Sequence, residues 1–159
     1  MDFISPTMGM LGEQQVLNYI KSYVREDPKA DYKIVIGTDS QTSSEKTLYV
    51  TAVIIHRVGK GARFFFCKWK AKPMYDLRTR IYKETELSLR VMDRLKENGI
   101  TEIVAQWPVE IHLDVGHQGE TRMLIQEVVG WVSSVGYKAI IKPYSYGASS
   151  VADRFTKSG

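Results

Sequence analysis

Apolar residues first recur at helical spacing near the start of the chain. Val16, Leu17, Ile20 and Val24 fall on one face, predicting a helix from about Glu13 to Arg25 that Asp27-Pro28 ends. The segment before it, residues 1 to 11, contains Pro6 and Gly9 and reads as irregular. A strand then runs through Lys33-Ile34-Val35-Ile36-Gly37-Thr38 to Asp39, followed by a polar loop from Ser40 to Lys46. Thr47 to His56 is rich in β-branched residues and reads as a long strand. Val58-Gly59-Lys60-Gly61 supplies a hairpin turn, and Arg63 to Lys70 returns antiparallel, so these three strands form a meander.

Helical spacing returns between Asp76 and Asn98, where Leu87, Val91 and Leu95 lie four apart and Gly99 closes the helix. A strand follows Pro108 and ends at Asp114, and Gly116 and Gly119 mark a loop. A helix from about Glu120 to Val135 gathers Leu124, Val128, Trp131, Val132 and Val135 on one side and stops at Gly136. Tyr137 to Lys142 reads as a fifth strand ended by Pro143, and a last short helix starts near Ser149, a good N-cap. After the leading helix the order is β-β-β-α-β-α-β-α. Its later half is βαβ-like, which predicts an α/β fold with parallel strands covered by helices. No repeat, low-complexity tract or flexible linker divides the chain. Residues 1–159 therefore read as one domain, with 1–30 a helical extension on a core of 31–157.

Composition narrows the classes. With 43% apolar and 25% charged residues, 159 residues can bury an ordinary globular core. Cys67 is the only cysteine, which excludes an internal disulfide and a cysteine-based zinc site. No run approaches the roughly 18 apolar residues of a membrane span, and Met1 to Leu11 lacks the basic leader of a signal peptide. These features predict a cytoplasmic chain without a membrane partner. The net charge is +4, and confining four acids in one site would leave the remaining surface more basic, which suits a polyanion.

Four acids lie at element boundaries: Asp39 and Asp114 at strand ends, Glu84 early in the long helix, and Asp153 near the start of the last one. If the first and fourth strands are parallel neighbours, about 4.8 Å apart, Asp39 and Asp114 can reach one cation. Glu84 precedes Leu87, Ser88, Val91 and Leu95 at helical intervals and so falls on the sheet-facing stripe. A bare carboxylate there is costly unless paired or metal-bound. Glu86 falls near the opposite side, four residues before Arg90, and is held as the substitute for Glu84. Each acid singly has an ordinary explanation as a turn residue, an ion pair or a helix-terminal charge. Together they point to a two-metal carboxylate site, whose typical chemistry is phosphodiester cleavage, and the all-oxygen donors suit Mg²⁺ or Mn²⁺.

These residues carry a resemblance. The order of elements resembles the ribonuclease H-like fold, which sets an Asp on the first strand, a Glu on the first helix, an Asp at the end of the fourth strand and an acid on the final helix. Gly37-Thr38-Asp39-Ser40-Gln41, His112-Leu113-Asp114-Val115-Gly116 and Ala148-Ser149-Ser150-Val151-Ala152-Asp153-Arg154 resemble the bacterial YkuK family of that fold. The resemblance covers about residues 31 to 157. It implies a five-stranded mixed sheet of order 3-2-1-4-5, strand 2 antiparallel, flanked by helices, with the N-terminal helix as an addition. It implies a metal-dependent nuclease with Asp39, Glu84, Asp114 and Asp153 as catalytic ligands of two ions. Where ribonuclease H often has a histidine before the last helix, residues 143 to 150 have none.

Candidate nucleic-acid contacts are Lys68, Lys70 and Lys72 on one strand face, Arg78 and Arg80 at the helix start, and Lys142, Tyr144 and Tyr146 after the fifth strand. Glu110 and His112 share the face of Asp114 and are expected to be hydrogen-bonded polar neighbours. The competing classes are a nucleic-acid-binding protein without turnover and a protein-interaction domain docking through the first helix.

Overall fold

The computed structural model describes residues 1–104, 106–145 and 150–151. It contains β1 (Asp2–Ser5), β2 (Gly9–Gly12), α1 (Glu13–Glu26), β3 (Tyr32–Thr42), β4 (Thr47–Arg57), β5 (Gly61–Ala71), α2 (Leu77–Glu97), α3 (Ile100–Val104), β6 (Val109–His112), α4 (Ile125–Ser134) and β7 (Lys138–Ile140). A 3₁₀ turn, Glu120–Leu124, leads into α4.

One mixed sheet runs in the order β2-β1-β5-β4-β3-β6-β7. The five expected strands are present in the expected order with β4 antiparallel to β3, but the sheet has seven strands, not five. The other two come from residues 1 to 11, expected to be irregular. There Phe3 faces Leu11 across a hairpin, Gly9 turns at a φ of 76°, and Ile4 pairs with Phe66 of β5. Strands of four residues are too short to display an alternation, so the pattern carried no signal.

β3 also runs past its expected end. Its pairing with β4 continues from Tyr32↔Arg57 to Thr42↔Thr47, so Asp39 lies within the hairpin rather than at a strand terminus. Side-chain bonds stand in for apolar burial there. The Thr42 and Thr47 hydroxyls bond each other at 2.8 Å, Thr42 donates to the Met74 carbonyl, and Thr47 accepts from the Met74 amide. On its other side β3 pairs parallel with β6, from Ile34↔Val109 to Gly37↔His112, and β6 pairs parallel with β7.

Alternation divides the sheet into two faces. Ile34, Ile36, Val53 and Ile55 join the main core with Val16, Leu17 and Ile20 of α1, Val91 and Leu95 of α2, and Val128 and Val132 of α4. Val35, Leu48, Val50, Ala52, Ile54 and Phe66 form a second cluster on the opposite face, against which Val151 packs. α1 is tied to α2 by polar contacts as well. Glu13 accepts from Arg94 at 2.8 and 3.0 Å and from Asn98 at 2.6 Å, and pairs with the terminal amine at 3.3 Å. No helix among the described residues is long and apolar enough to cross a membrane.

α2 is placed by its ends and by one buried polar chain. Asp76 caps it, accepting from the Thr79 amide, and Gly99 leaves it at a φ of 97°. Inside, the Thr38 hydroxyl lies 2.8 Å from both the Thr51 and Ser88 hydroxyls, and the Trp69 indole donates to Thr51. This chain fixes α2 against β3 next to Asp39. Thr38→Val keeps the shape but takes the Thr38 partner from the buried Ser88 hydroxyl and leaves Thr51 with only the Trp69 indole. It is expected to lower unfolding free energy by about 1–3 kcal/mol, measured as a fall in urea midpoint at constant m-value.

Candidate functional site

The site grows from the register of β3 and β6. Gly37 and His112 are the last parallel pair, and Asp39 and Asp114 each lie two residues beyond. Equal offsets keep both carboxylates on one face and beside each other. Glu84 arrives from α2, one turn before Ser88, where α2 is bonded to Thr38. Its Oε2 accepts from the Ser40 hydroxyl at 2.5 Å, and the Ser40 amide donates to Asp39 Oδ1 at 2.9 Å. One oxygen from each of Asp39, Glu84 and Asp114 lies within 4.8 Å of the others.

Burial is uneven. Asp39 and Asp114 are partly exposed, whereas Glu84 is buried. Loss of water pushes the Glu84 carboxyl up to about 8; the Ser40 bond opposes this, and the charges of Asp39 and Asp114 reinforce it. An open pocket of about 450 Å³ exposes Asp39 and Asp114 but not Glu84, and is also lined by Ser40, Arg80, Lys142 and Ser145 among others. Lys142 Nζ lies 2.7 Å from Asp114 Oδ1.

This donor set fits a hard divalent cation. All three groups are carboxylates, and oxygens held by one such ion lie no more than about 4–5 Å apart, a limit these three meet. Glu84 adds the energetic reason: an adjacent double positive charge would offset both its desolvation and its repulsion by the other acids.

Glu86 lies elsewhere, ion-paired with Lys83 at 3.7 Å and with Arg90. Of the two glutamates, Glu84 is the one that lies beside Asp39 and Asp114. Asp153 and Tyr146 lie outside the described residues. Among the candidate nucleic-acid contacts, Arg80 and Lys142 line the pocket. Lys68 and Lys70 face Val50 and Leu48 of β4, which face Asp39 and Gln41 of β3. They thus share the face of Asp39 two strands away, about 10 Å across the sheet. Lys72 is exposed just past β5, and Tyr144 is exposed after Lys142. Arg78 is held outside the pocket by Glu127 at 2.7 Å.

Sequence reasoning missed Ser40, which it assigned to a loop, and the Thr38–Ser88 bond. A hydroxyl one residue from an acid and another on the stripe of Glu84 were the available signals. Glu110 and His112 are bonded neighbours, as expected. His112 Nε2 lies 3.2 Å from Glu110 Oε1, which also meets Lys33 Nζ at 3.4 Å. Burial works to raise the Glu110 carboxyl, but the His112 bond and the Lys33 ammonium hold it below its ordinary value.

Glu84 gives the metal-free protein a pH dependence of definite sign. Its folded carboxyl titrates at about 8 against an ordinary 4.5, so the folded state binds the proton more tightly. The stability this contributes is complete below about pH 4.5 and lost as pH rises through about 8. Within that window the slope is at most about 1.4 kcal/mol per pH unit. Melting temperature is expected to fall from pH 5 to 8, and Glu84→Gln is expected to flatten the fall. An unchanged slope in that variant contradicts the assignment.

Comparison with known proteins agrees with this arrangement. The family described as Ribonuclease H-like matches residues 15–157, beginning within α1. A protein of Bacillus subtilis (strain 168), named "Uncharacterized protein YkuK", is 37% identical over 155 residues, covering 91% of this chain and 90% of that protein. A seven-stranded mixed sheet with three acids gathered just beyond its β3–β6 pairing, together with those matches, places this chain in the ribonuclease H-like family, in the branch that YkuK represents.

Proposed function

We propose that this protein is a metal-dependent nuclease that hydrolyses phosphodiester bonds in RNA, RNA/DNA hybrid or DNA. The observation that carries the reading is the convergence of Asp39, Glu84 and Asp114 within 4.8 Å, beside an open pocket that also holds two basic side chains. Asp39, Glu84 and Asp114, with Asp153 as a fourth ligand, would hold two Mg²⁺ or Mn²⁺ ions. Such ions, when bound, supply Lewis acidity that activates water and stabilises the leaving oxygen.

The chain's own residues do the rest. Ser40 orients Glu84 by donating to Oε2, which leaves its other oxygen for a ligand. Arg80 and Lys142 bring positive charge to the pocket, where it would draw a phosphate towards the acids. Lys68 and Lys70 would extend that attraction along the face of Asp39, and the exposed Tyr144 ring is suited to stacking on a base.

A second reading, a nucleic-acid-binding protein without turnover, draws support from the Lys142 ion pair, which already neutralises Asp114 without metal. Incubation with labelled RNA, DNA and hybrid duplex in Mn²⁺ separates the two. The nuclease yields products that vanish on chelation. Asp39→Asn is expected to cut the rate by at least about a hundredfold, and Glu86→Gln to leave it near that of the parent protein. Retarded but uncleaved nucleic acid with every substrate would favour the second reading.

A further inference from the structure

Lys142 is held over the acid cluster by more than its charge. The Leu113 amide donates to the Ile140 carbonyl, and the Lys142 amide donates to the Val115 carbonyl, each at 2.9 Å. The pairing of β6 with β7 thus continues as single bonds up to Lys142. Beneath its stem lies Gly116, where a Cβ atom would sit 2.9 Å from the Lys142 Cβ and 3.6 Å from its Cδ. Any side chain at 116 would collide with that stem, so the missing Cβ is what lets the stem lie across the backbone there. The ammonium then ends 2.7 Å from Asp114 Oδ1.

We propose that Lys142 is the resident counter-ion of the acid cluster, holding Asp114 until a divalent cation displaces it. This rests on the metal-site reading above. The ammonium and the divalent ion need the same carboxylate, and they repel each other, so the two states compete. An ammonium suits the role because it is a compact charge on a flexible stem and makes one exchangeable contact. An arginine fork at this position would tend to grip both oxygens of Asp114. Competition is reciprocal: Lys142 weakens the ion's affinity, and the ion releases Lys142 into the pocket it shares with Asp39 and Arg80. The site is therefore partly charge-balanced at low divalent concentration, and the basic charge in its pocket becomes available once the metal is bound. Occupancy would follow the supply of divalent ion rather than being permanent.

Calorimetric titration of the full chain with Mn²⁺ tests this without any substrate. Lys142→Met is expected to bind Mn²⁺ about three- to tenfold more tightly than the parent, with Lys142→Gln changing in the same direction. Lys142→Arg, which keeps the charge, is expected to bind no more tightly than the parent, and Asp39→Asn to lose binding. If Lys142→Met and Lys142→Gln match the parent while Asp39→Asn loses binding, the counter-ion role is overturned and the metal site stands. If Lys142→Arg gains as much as Lys142→Met, charge is not the cause and the proposal fails. If none of the proteins, Lys142→Met included, binds Mn²⁺, both readings fall together.

Discussion

One register governs this molecule's chemistry: Gly37 of β3 facing His112 of β6. The side-by-side placing of Asp39 and Asp114 follows from what lies just beyond that pair. A slip of a single residue would turn one of the two strand acids to the opposite face and disperse the cluster. The register is well specified because the strand residues just before the acids are buried on both faces. Ile34, Ile36 and Ile111 join the helix-covered core, and Val35 lies in the cluster behind it. Hydrophobic burial, which is non-directional, becomes positional here only because side chains alternate along a strand.

The third acid depends on a different device. α2 could slide or rotate against an apolar sheet at modest cost, but the Thr38–Ser88 and Thr38–Thr51 bonds leave it one satisfied position. Ser40, two residues past Thr38 and on its face, then meets Glu84. The strand that supplies Asp39 thus also supplies the two hydroxyls that place Glu84. A buried carboxyl beside two others is a poor arrangement for stability, and the fold sustains it through a core assembled elsewhere. Such a local conflict is expected where a ligand of opposite charge belongs.

Much of this was legible in the chain. Helical phase favours Glu84, with Glu86 in reserve, because Leu87, Ser88, Val91 and Leu95 define the buried stripe. The juxtaposition of Asp39 and Asp114 needed only the assumption of parallel neighbours. The N-terminal hairpin escaped because Asp2–Ser5 and Gly9–Gly12 are too short for a period and are recruited by pairing with Phe66, far away in sequence. The extension of β3 to Thr42 escaped because hydroxyl bonds, not apolar residues, carry its end. Glu120 to Val135 read as one helix, whereas a 3₁₀ turn precedes α4, since apolar spacing does not distinguish the two over a single turn. The sequence suggests Lys142 as a nucleic-acid contact, but its pairing with Asp114 depends on backbone bonds and on Gly116, which no local pattern reveals.

The central claim is that the fold collects carboxylates to hold a divalent cation. Anomalous diffraction from crystals soaked in Mn²⁺ addresses it most directly. The account predicts a peak among Asp39, Glu84 and Asp114, with the Lys142 ammonium withdrawn from Asp114. Saturating Mn²⁺ that leaves no peak there, and Lys142 still bonded to Asp114, would contradict it.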